Sequence, residues 1–219
     1  MKKLIATICS VFFITSQASA DVGIGITANF ASVDTDGHEL ELSGDGEKTT
    51  ASISEDTVIP EVFIEAIADN GLTFGVAYIP ARDLGSKSRT DTSPTGDTET
   101  ADAGTYKADA EVQGVVQFYT DIPIPYTPIY GKLGFSRASI KTMEVNPSNT
   151  TYEDKTVNGY TLGVGYRGQS IPFLGGGFYK VEATYTDFDK FDATDSNGDH
   201  EVEADTEVTS VKISLGTTF

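Results

Sequence analysis

Val211-Lys212-Ile213-Ser214-Leu215-Gly216-Thr217-Thr218-Phe219 closes the chain. Val211, Ile213, Leu215, Thr217 and Phe219 fall on one face, and Lys212, Ser214, Gly216 and Thr218 on the other. A period of two is that of an extended strand. One side is largely apolar and ends on an aromatic ring. The other is polar or small and carries a charge.

The same pattern recurs upstream. Tyr160, Leu162, Val164 and Tyr166 alternate with Thr161, Gly163, Gly165 and Arg167. Tyr179, Val181, Ala183 and Tyr185 alternate with Lys180, Glu182 and Thr184. Ile129, Gly131, Leu133 and Phe135 oppose Tyr130, Lys132, Gly134 and Ser136. Nearer the N-terminus, Ala110, Val112, Gly114, Val116 and Phe118 oppose Asp109, Glu111, Gln113 and Gln117. Leu72, Phe74, Val76 and Tyr78 form a further apolar face. Val62, Ile64 and Ala66 oppose Glu61, Phe63 and Glu65, and Val22 to Phe30 alternates with Gly23 to Ala31. These make eight strands.

The segments between them alternate in length. Long polar loops are expected at about 34–57, 80–105, 144–156 and 187–207. Asp69-Asn70-Gly71, the proline-rich Asp121 to Pro128 and Gly168 to Gly177 are short turns. Strand, long loop, strand, short turn is the rhythm of an up-and-down barrel, and eight is an even number, as single-chain bacterial membrane barrels require. Strands of ~9–11 residues are expected for a tilted membrane crossing.

A soluble barrel would bury the apolar face, and its interior would then be apolar. Here the opposite face carries Glu61, Glu65, Glu111, Lys132, Arg167, Lys180, Glu182 and Lys212. That face belongs in the lumen and the apolar one in lipid. Aromatics near strand ends, Tyr130 and Phe178 among them, are expected at the membrane interfaces. The fold class is therefore all-β, an eight-stranded antiparallel up-and-down transmembrane β-barrel.

The N-terminus agrees. Lys2 and Lys3 precede an apolar run from Leu4 to Ile14, too short for a membrane helix, and Ala18-Ser19-Ala20 follows. Residues 1–20 read as a cleavable secretory signal peptide and 21–219 as the barrel domain. Cys9, the only cysteine, lies inside the signal, so no disulfide, thiolate metal site or cysteine nucleophile is expected. The chain's formal charge is −18, and −20 once Lys2 and Lys3 are removed. Such acidity argues against nucleic acid as a partner.

Gly159 to Arg167, the turn leading into Tyr130-Gly131-Lys132-Leu133-Gly134, and the terminal Phe219 together resemble the small outer-membrane barrels of the opacity-protein and outer membrane protein A transmembrane-domain family. The resemblance spans nearly the whole mature chain. It implies location in the outer membrane of a Gram-negative cell envelope and a porin-family architecture. It also implies recognition of Phe219 by the barrel assembly machinery. No periplasmic domain is expected after Phe219. The expected partners are outer-membrane lipids and lipopolysaccharide, and the expected state is a monomer.

Two constellations stand out. The inward charges carry both signs and must pair, because an unpaired buried ion is costly. They form a salt-bridged plug or, alternatively, line a narrow pathway for ions or small solutes. Asp195, Asn197, Asp199 and Glu201 recur around Gly198 with the oxygen chemistry of a Ca2+ or Mg2+ site, although the spacing is not that of an EF-hand. Otherwise no cofactor is expected. His38 and His200 both fall in expected loops, poor ground for a catalytic constellation, so no enzyme is expected. The functional expectation is a structural or surface-interaction barrel with long acidic extracellular loops, the alternative being a narrow channel.

Overall fold

Alternation of side chains across a pleated backbone dictates the architecture. In the computed structural model, residues 20–42, 48–91, 104–145, 151–171, 177–198 and 200–219 are described. The strands are β1 (Ala20–Glu41), β2 (Lys48–Ala68), β3 (Thr73–Asp91), β4 (Gly104–Pro123), β5 (Ile129–Val145), β6 (Lys155–Ile171), β7 (Gly177–Phe188), β8 (Phe191–Thr194) and β9 (His200–Thr218). Each pairs antiparallel with its neighbour, and β1 closes on β9, from Gly23 against Thr218 to Glu41 against His200. Eight strands form the wall, with β9 as the expected eighth. The short β8 lies outside that ring and pairs only with β9. Residues 1–19 of the expected signal lie outside the described residues. Ala20 is the first residue of β1 and pairs with Ala68.

The outer wall is apolar. Ile24, Ile26, Phe30, Val62, Ile64, Phe74, Tyr78, Phe118, Leu133, Tyr160, Leu162, Val164, Val181, Val211, Ile213 and Leu215 are all exposed. From Val22 to Phe30 the strand climbs roughly 20 Å along the axis, at ~3.3 Å per residue and ~40° of tilt, close to the ~25 Å apolar band of an outer-membrane barrel. Exposed side chains of this size on every strand need lipid around them.

The short turns gather at one end. Gly71 takes φ +83°, its N–H donates to Ala68 O at 2.8 Å, and Asn70 Oδ1 accepts from Leu72 N–H at 3.0 Å. The terminal residue seals the seam at the same end: Phe219 N–H donates to Val22 O at 3.1 Å, and Val22 N–H to Phe219 O at 3.2 Å.

The other end differs from expectation. The strands run 12 to 22 residues and continue through much of the expected long loops. Asp34 to Leu40 pairs with Lys48 to Ser54 on one side and with Glu201 to Glu207 on the other. Thr, Val and Ile between the acids have high strand propensity, so the β9–β1–β2 ladder projects past the lipid belt. Asp45 and Glu47 lie outside the described residues.

Two irregularities of the wall bear on the lumen. A bulge at Gly114, φ +142°, separates the register of Val112 to Ile140 from that of Gly114 to Ser139. An extra residue reverses which face follows. Val112, expected outside, therefore packs against an interior apolar cluster. Glu111, expected inside, is only partly buried and stands opposite Lys141 on the outer face. The second interruption is larger. β2 and β3 pair only from Val62–Tyr78 down to Ile67–Thr73. Continuing that register would set Pro60 against Pro80, two residues without an N–H, and there the ladder ends.

Candidate functional site: the layered lumen

The lumen is built in three layers. The lowest is charged and aromatic. Glu65, fully buried, accepts from Arg167 Nη2 at 2.6 Å, Lys180 Nζ at 3.0 Å and Tyr119 OH at 2.8 Å. Lys180 also reaches Asp121 at 3.4 Å. Lys132 sits between Asp121 and Glu182, at 2.9 Å from each. Tyr130 OH donates to Glu182 at 2.7 Å. The cations also lie over rings: Lys132 is 3.6 Å from the Tyr119 centroid and Arg167 4.0 Å from that of Phe178. Slightly higher, Lys212 and Asn29 Nδ2 both donate to Glu61, at 2.8 and 2.7 Å.

Four acids, Glu61, Glu65, Asp121 and Glu182, thus face four bases, Lys132, Arg167, Lys180 and Lys212. The network is neutral within a chain of formal charge −18. Seven of the eight side chains expected in the lumen belong to it, and Glu111 does not. Asp121 was missed because Ile122-Pro123 after it reads as the start of a turn. β4 continues to Pro123, and Asp121, only 2% exposed, points inward. Tyr130 and Phe178, expected at the membrane interface, are buried inside at 4% and 1% exposure. Their even positions, shared with Lys132 and Lys180, carried that signal.

Rings fit inside because glycines face them. Gly25, Gly75, Gly165 and Gly216 stand opposite Phe63, Tyr119, Tyr130 and Phe178, and a Cβ on any of the four would collide with the facing ring.

The middle layer is made of hydroxyls and amides. Gln117 Nε2 donates to Ser136 at 3.1 Å and Thr161 at 2.9 Å. Thr161 bonds Thr186, and Thr27 bonds Ser214, each at 2.8 Å. The void among these groups measures about 10 Å³, bordered by Glu61, Gln117, Tyr119, Lys132, Lys180 and Lys212. That is about the space one water needs. The top layer is apolar: Val115, Ala138 and Val157 are buried, with Ile79, Val112, Ile140, Phe188 and Phe191 partly buried against them.

Beyond the belt the ladder is acidic. In the register, Asp34 stands against Glu207, Asp36 against Asp205, and Glu207 also against Asp187. Lys190 Nζ lies 3.1 Å from Glu203, and that hydrogen bond, then the carboxylate's charge, holds its ammonium above the usual lysine range. His38, placed in β1 and not in a loop, lies 3.3 Å from Glu203. His200, in β9, lies 3.4 Å from Glu39.

Of the expected cation ligands, Asp199 lies outside the described residues. Asp195 is 6% exposed and shapes a turn: Gly198 N–H donates to its carbonyl at 3.1 Å, and Oδ1 accepts from His200 N–H at 3.2 Å. Asn197 is exposed in that turn, and Glu201 sits in β9 against Leu40 and Thr194. Among the described residues no three His, Cys, Asp or Glu side chains gather as a metal site.

No protein-family model matches the chain, and no curated protein matches it. Solved structures do. The outer membrane protease OmpT from Escherichia coli superposes with a TM-score of 0.51 at 12% identity, over 91% of this chain and 97% of that one. The outer membrane protein OprG from Pseudomonas aeruginosa gives 0.46 at 15% identity, over 92% and 97%. The outer membrane protein AlkL gives 0.49 at 12%, over 92% and 91%. At such identities the likeness is one of fold. With its lipid-facing belt and charge-paired lumen, the chain has the fold of the outer-membrane β-barrel proteins and is an antiparallel up-and-down transmembrane barrel of the outer membrane.

Proposed function

We propose that this protein is a non-catalytic, monomeric surface barrel whose filled lumen holds an extended acidic β-ladder outside the cell. One observation carries the reading: the void bordered by the charged and hydroxyl layers measures about 10 Å³. A hydrated ion needs far more room, and moving one of these side chains aside would strand its partner in a buried site. An eight-stranded barrel has an interior that side chains can fill. Function then falls to the rim, where a rigid scaffold presents polar surface. That surface is the β9–β1–β2 ladder with Asp34, Asp36, Asp205 and Glu207. Its partners are lipopolysaccharide and whatever the acidic rim meets outside, with Phe219 serving the assembly machinery.

The test is conductance of the refolded protein in a planar bilayer. The expected result is a silent membrane. Reproducible unitary steps whose ion selectivity changes in Lys132→Glu or Lys180→Glu would make the barrel a narrow channel instead.

A further inference from the structure

β2 is an edge strand for much of its length. From Lys48 to Asp56 it pairs with Leu40 to Ser32 of β1, and among the described residues no strand pairs with its other side. Arg82 Nη2 donates to Thr57 Oγ1 at 3.2 Å and marks the lower end of the free stretch. Above that bond all nine residues, Lys48 to Asp56, are exposed, whichever face they take. At ~3.3 Å per residue, a row of N–H and C=O groups about 30 Å long lacks a strand partner.

Edge strands are usually blunted by charge, proline or a bulge. Here such devices sit only at the ends, with Lys48 above and Glu55, Asp56 and Pro60 below. Thr49-Thr50-Ala51-Ser52-Ile53-Ser54 between them carries no charge, proline or glycine, and its register against β1 is unbroken. Its Thr and Ile favour strand.

The two faces of this edge differ. Phe30 and Val58 form a register pair and both are exposed to lipid, so even-numbered positions of β1 and β2 face outward. On that face Ser52 stands against Asp36 and Ser54 against Asp34, with Asp205 and Glu207 next in line on β9. The odd-numbered face presents Ala51 and Ile53, the latter 49% exposed. A strand laid along β2 would set every second side chain beside Ser52 and Ser54. Those serines are small, and they leave a path for a long cationic side chain to Asp36 and Asp34, two strand spacings or roughly 10 Å away. The intervening side chains would meet Ala51 and Ile53.

We propose that the β2 edge from Lys48 to Asp56 binds an extended cationic polypeptide segment as an added strand, with basic and apolar residues alternating along it. The proposal names a partner for the acidic rim and rests on the reading that the ladder stands outside the cell. Backbone pairing supplies affinity, and the aspartates select the sign of charge. A second copy of this chain is a poorer occupant. It would bring two acidic ladders together, and two barrels upright in one membrane would pair their β2 strands parallel, the weaker arrangement.

The probe is a fluorescein-labelled peptide of about nine residues, the length of the free edge, alternating lysine and valine. It is added at physiological ionic strength to the full mature barrel in nanodiscs. Fluorescence anisotropy should show saturable binding. A peptide of equal charge with proline at two central valines should not bind. Ser52→Lys/Ser54→Lys should weaken binding roughly tenfold or more while heat-modifiable migration stays that of the parent. The only cysteine of the chain is Cys9, in the expected signal, so Ile53→Cys gives the mature barrel a lone thiol. A peptide with a central cysteine should form a disulfide there and not with Asn197→Cys, exposed in the turn between β8 and β9. Should Ile53→Cys fail to fold, Ala51→Cys replaces it.

Absence of saturable binding would overturn the proposal. Equal binding of the proline-bearing peptide would reduce it to charge attraction, and equal cross-linking at Asn197→Cys would remove the edge as the site. Disulfide dimers of Ile53→Cys formed without peptide would give the edge to a second copy instead. None of these results bears on conductance, so the sealed lumen and the strand-binding edge stand or fall separately.

Discussion

Gly75 of β3 lies directly opposite Tyr119 of β4, and the tyrosine ring occupies the space a Cβ at Gly75 would need. The ring's hydroxyl in turn donates to Glu65 at 2.8 Å, so a missing methyl group on one strand sets the position of a buried carboxylate's partner on another. Gly75→Ala should tilt the ring and loosen that bond. The expected loss is about 1–3 kcal/mol, the range for forcing extra volume into a packed interior. A lower melting temperature of the detergent-refolded protein, read from heat-modifiable gel migration, is the measurement. An unchanged transition would mean the ring has room to move.

Lys212 and Glu61 test the plug as an ion pair. Both are almost fully buried, and Asn29 is the other side-chain donor to Glu61. Lys212→Met should destabilise by about 3–5 kcal/mol, because it leaves a buried carboxylate without its cation. Glu61→Gln added to it should recover most of that loss. Urea unfolding in detergent would show the double variant near the parent. Equal losses in single and double variants would mean that the pair's charge is not what matters.

Phe219 closes the seam through two backbone hydrogen bonds with Val22, and its side chain is 72% exposed toward lipid. The backbone pairing needs only a residue there, whereas assembly recognition needs the ring. Phe219→Ser should therefore lower the outer-membrane level and raise periplasmic degradation, while the protein refolded in detergent melts within a few degrees of the parent. Normal insertion of Phe219→Ser in cells would remove the assembly role.

Asp34 facing Glu207 and Asp36 facing Asp205 place like charges on adjacent strands. Directly opposed like charges cost roughly 0.2–1 kcal/mol each, and salt screens them. Asp36→Asn should raise the melting temperature by about 1–3 °C at low salt, with the gain fading in high sodium chloride. Calcium should stabilise the parent beyond sodium of matched ionic strength, as carboxylate bridging requires. Superimposed calcium and sodium curves would reduce the ladder to screened surface charge.

Much of this was legible in one dimension. Period two along Val211 to Phe219 and its seven counterparts determined the barrel, its lipid face and most of the lumen's charged residues. A pleated strand turns alternate side chains to opposite faces, so facing is written locally wherever the register is regular. The tight turn at Asn70-Gly71 was equally local, because a positive φ there favours glycine.

Only the tertiary structure decided the rest, wherever a neighbouring strand overrules local pattern. The bulge at Gly114 inverts the parity of Glu111 and Val112 before it in β4, moving the first outward and the second inward, and no alternation reveals an inserted residue. Asp34 to Leu40 looks like a loop by composition, but partners on both sides make it strand. The pairing of four buried acids with three buried lysines and the half-buried Arg167 joins residues up to 151 positions apart, such as Glu61 and Lys212, so closure of the ring alone creates it. In sequence Pro60 reads as a residue near the start of a strand and Pro80 as the start of a loop, whereas β2 and β3 run on past both. Their register against each other, at which the β2–β3 ladder ends, exists only once β2 and β3 are set side by side.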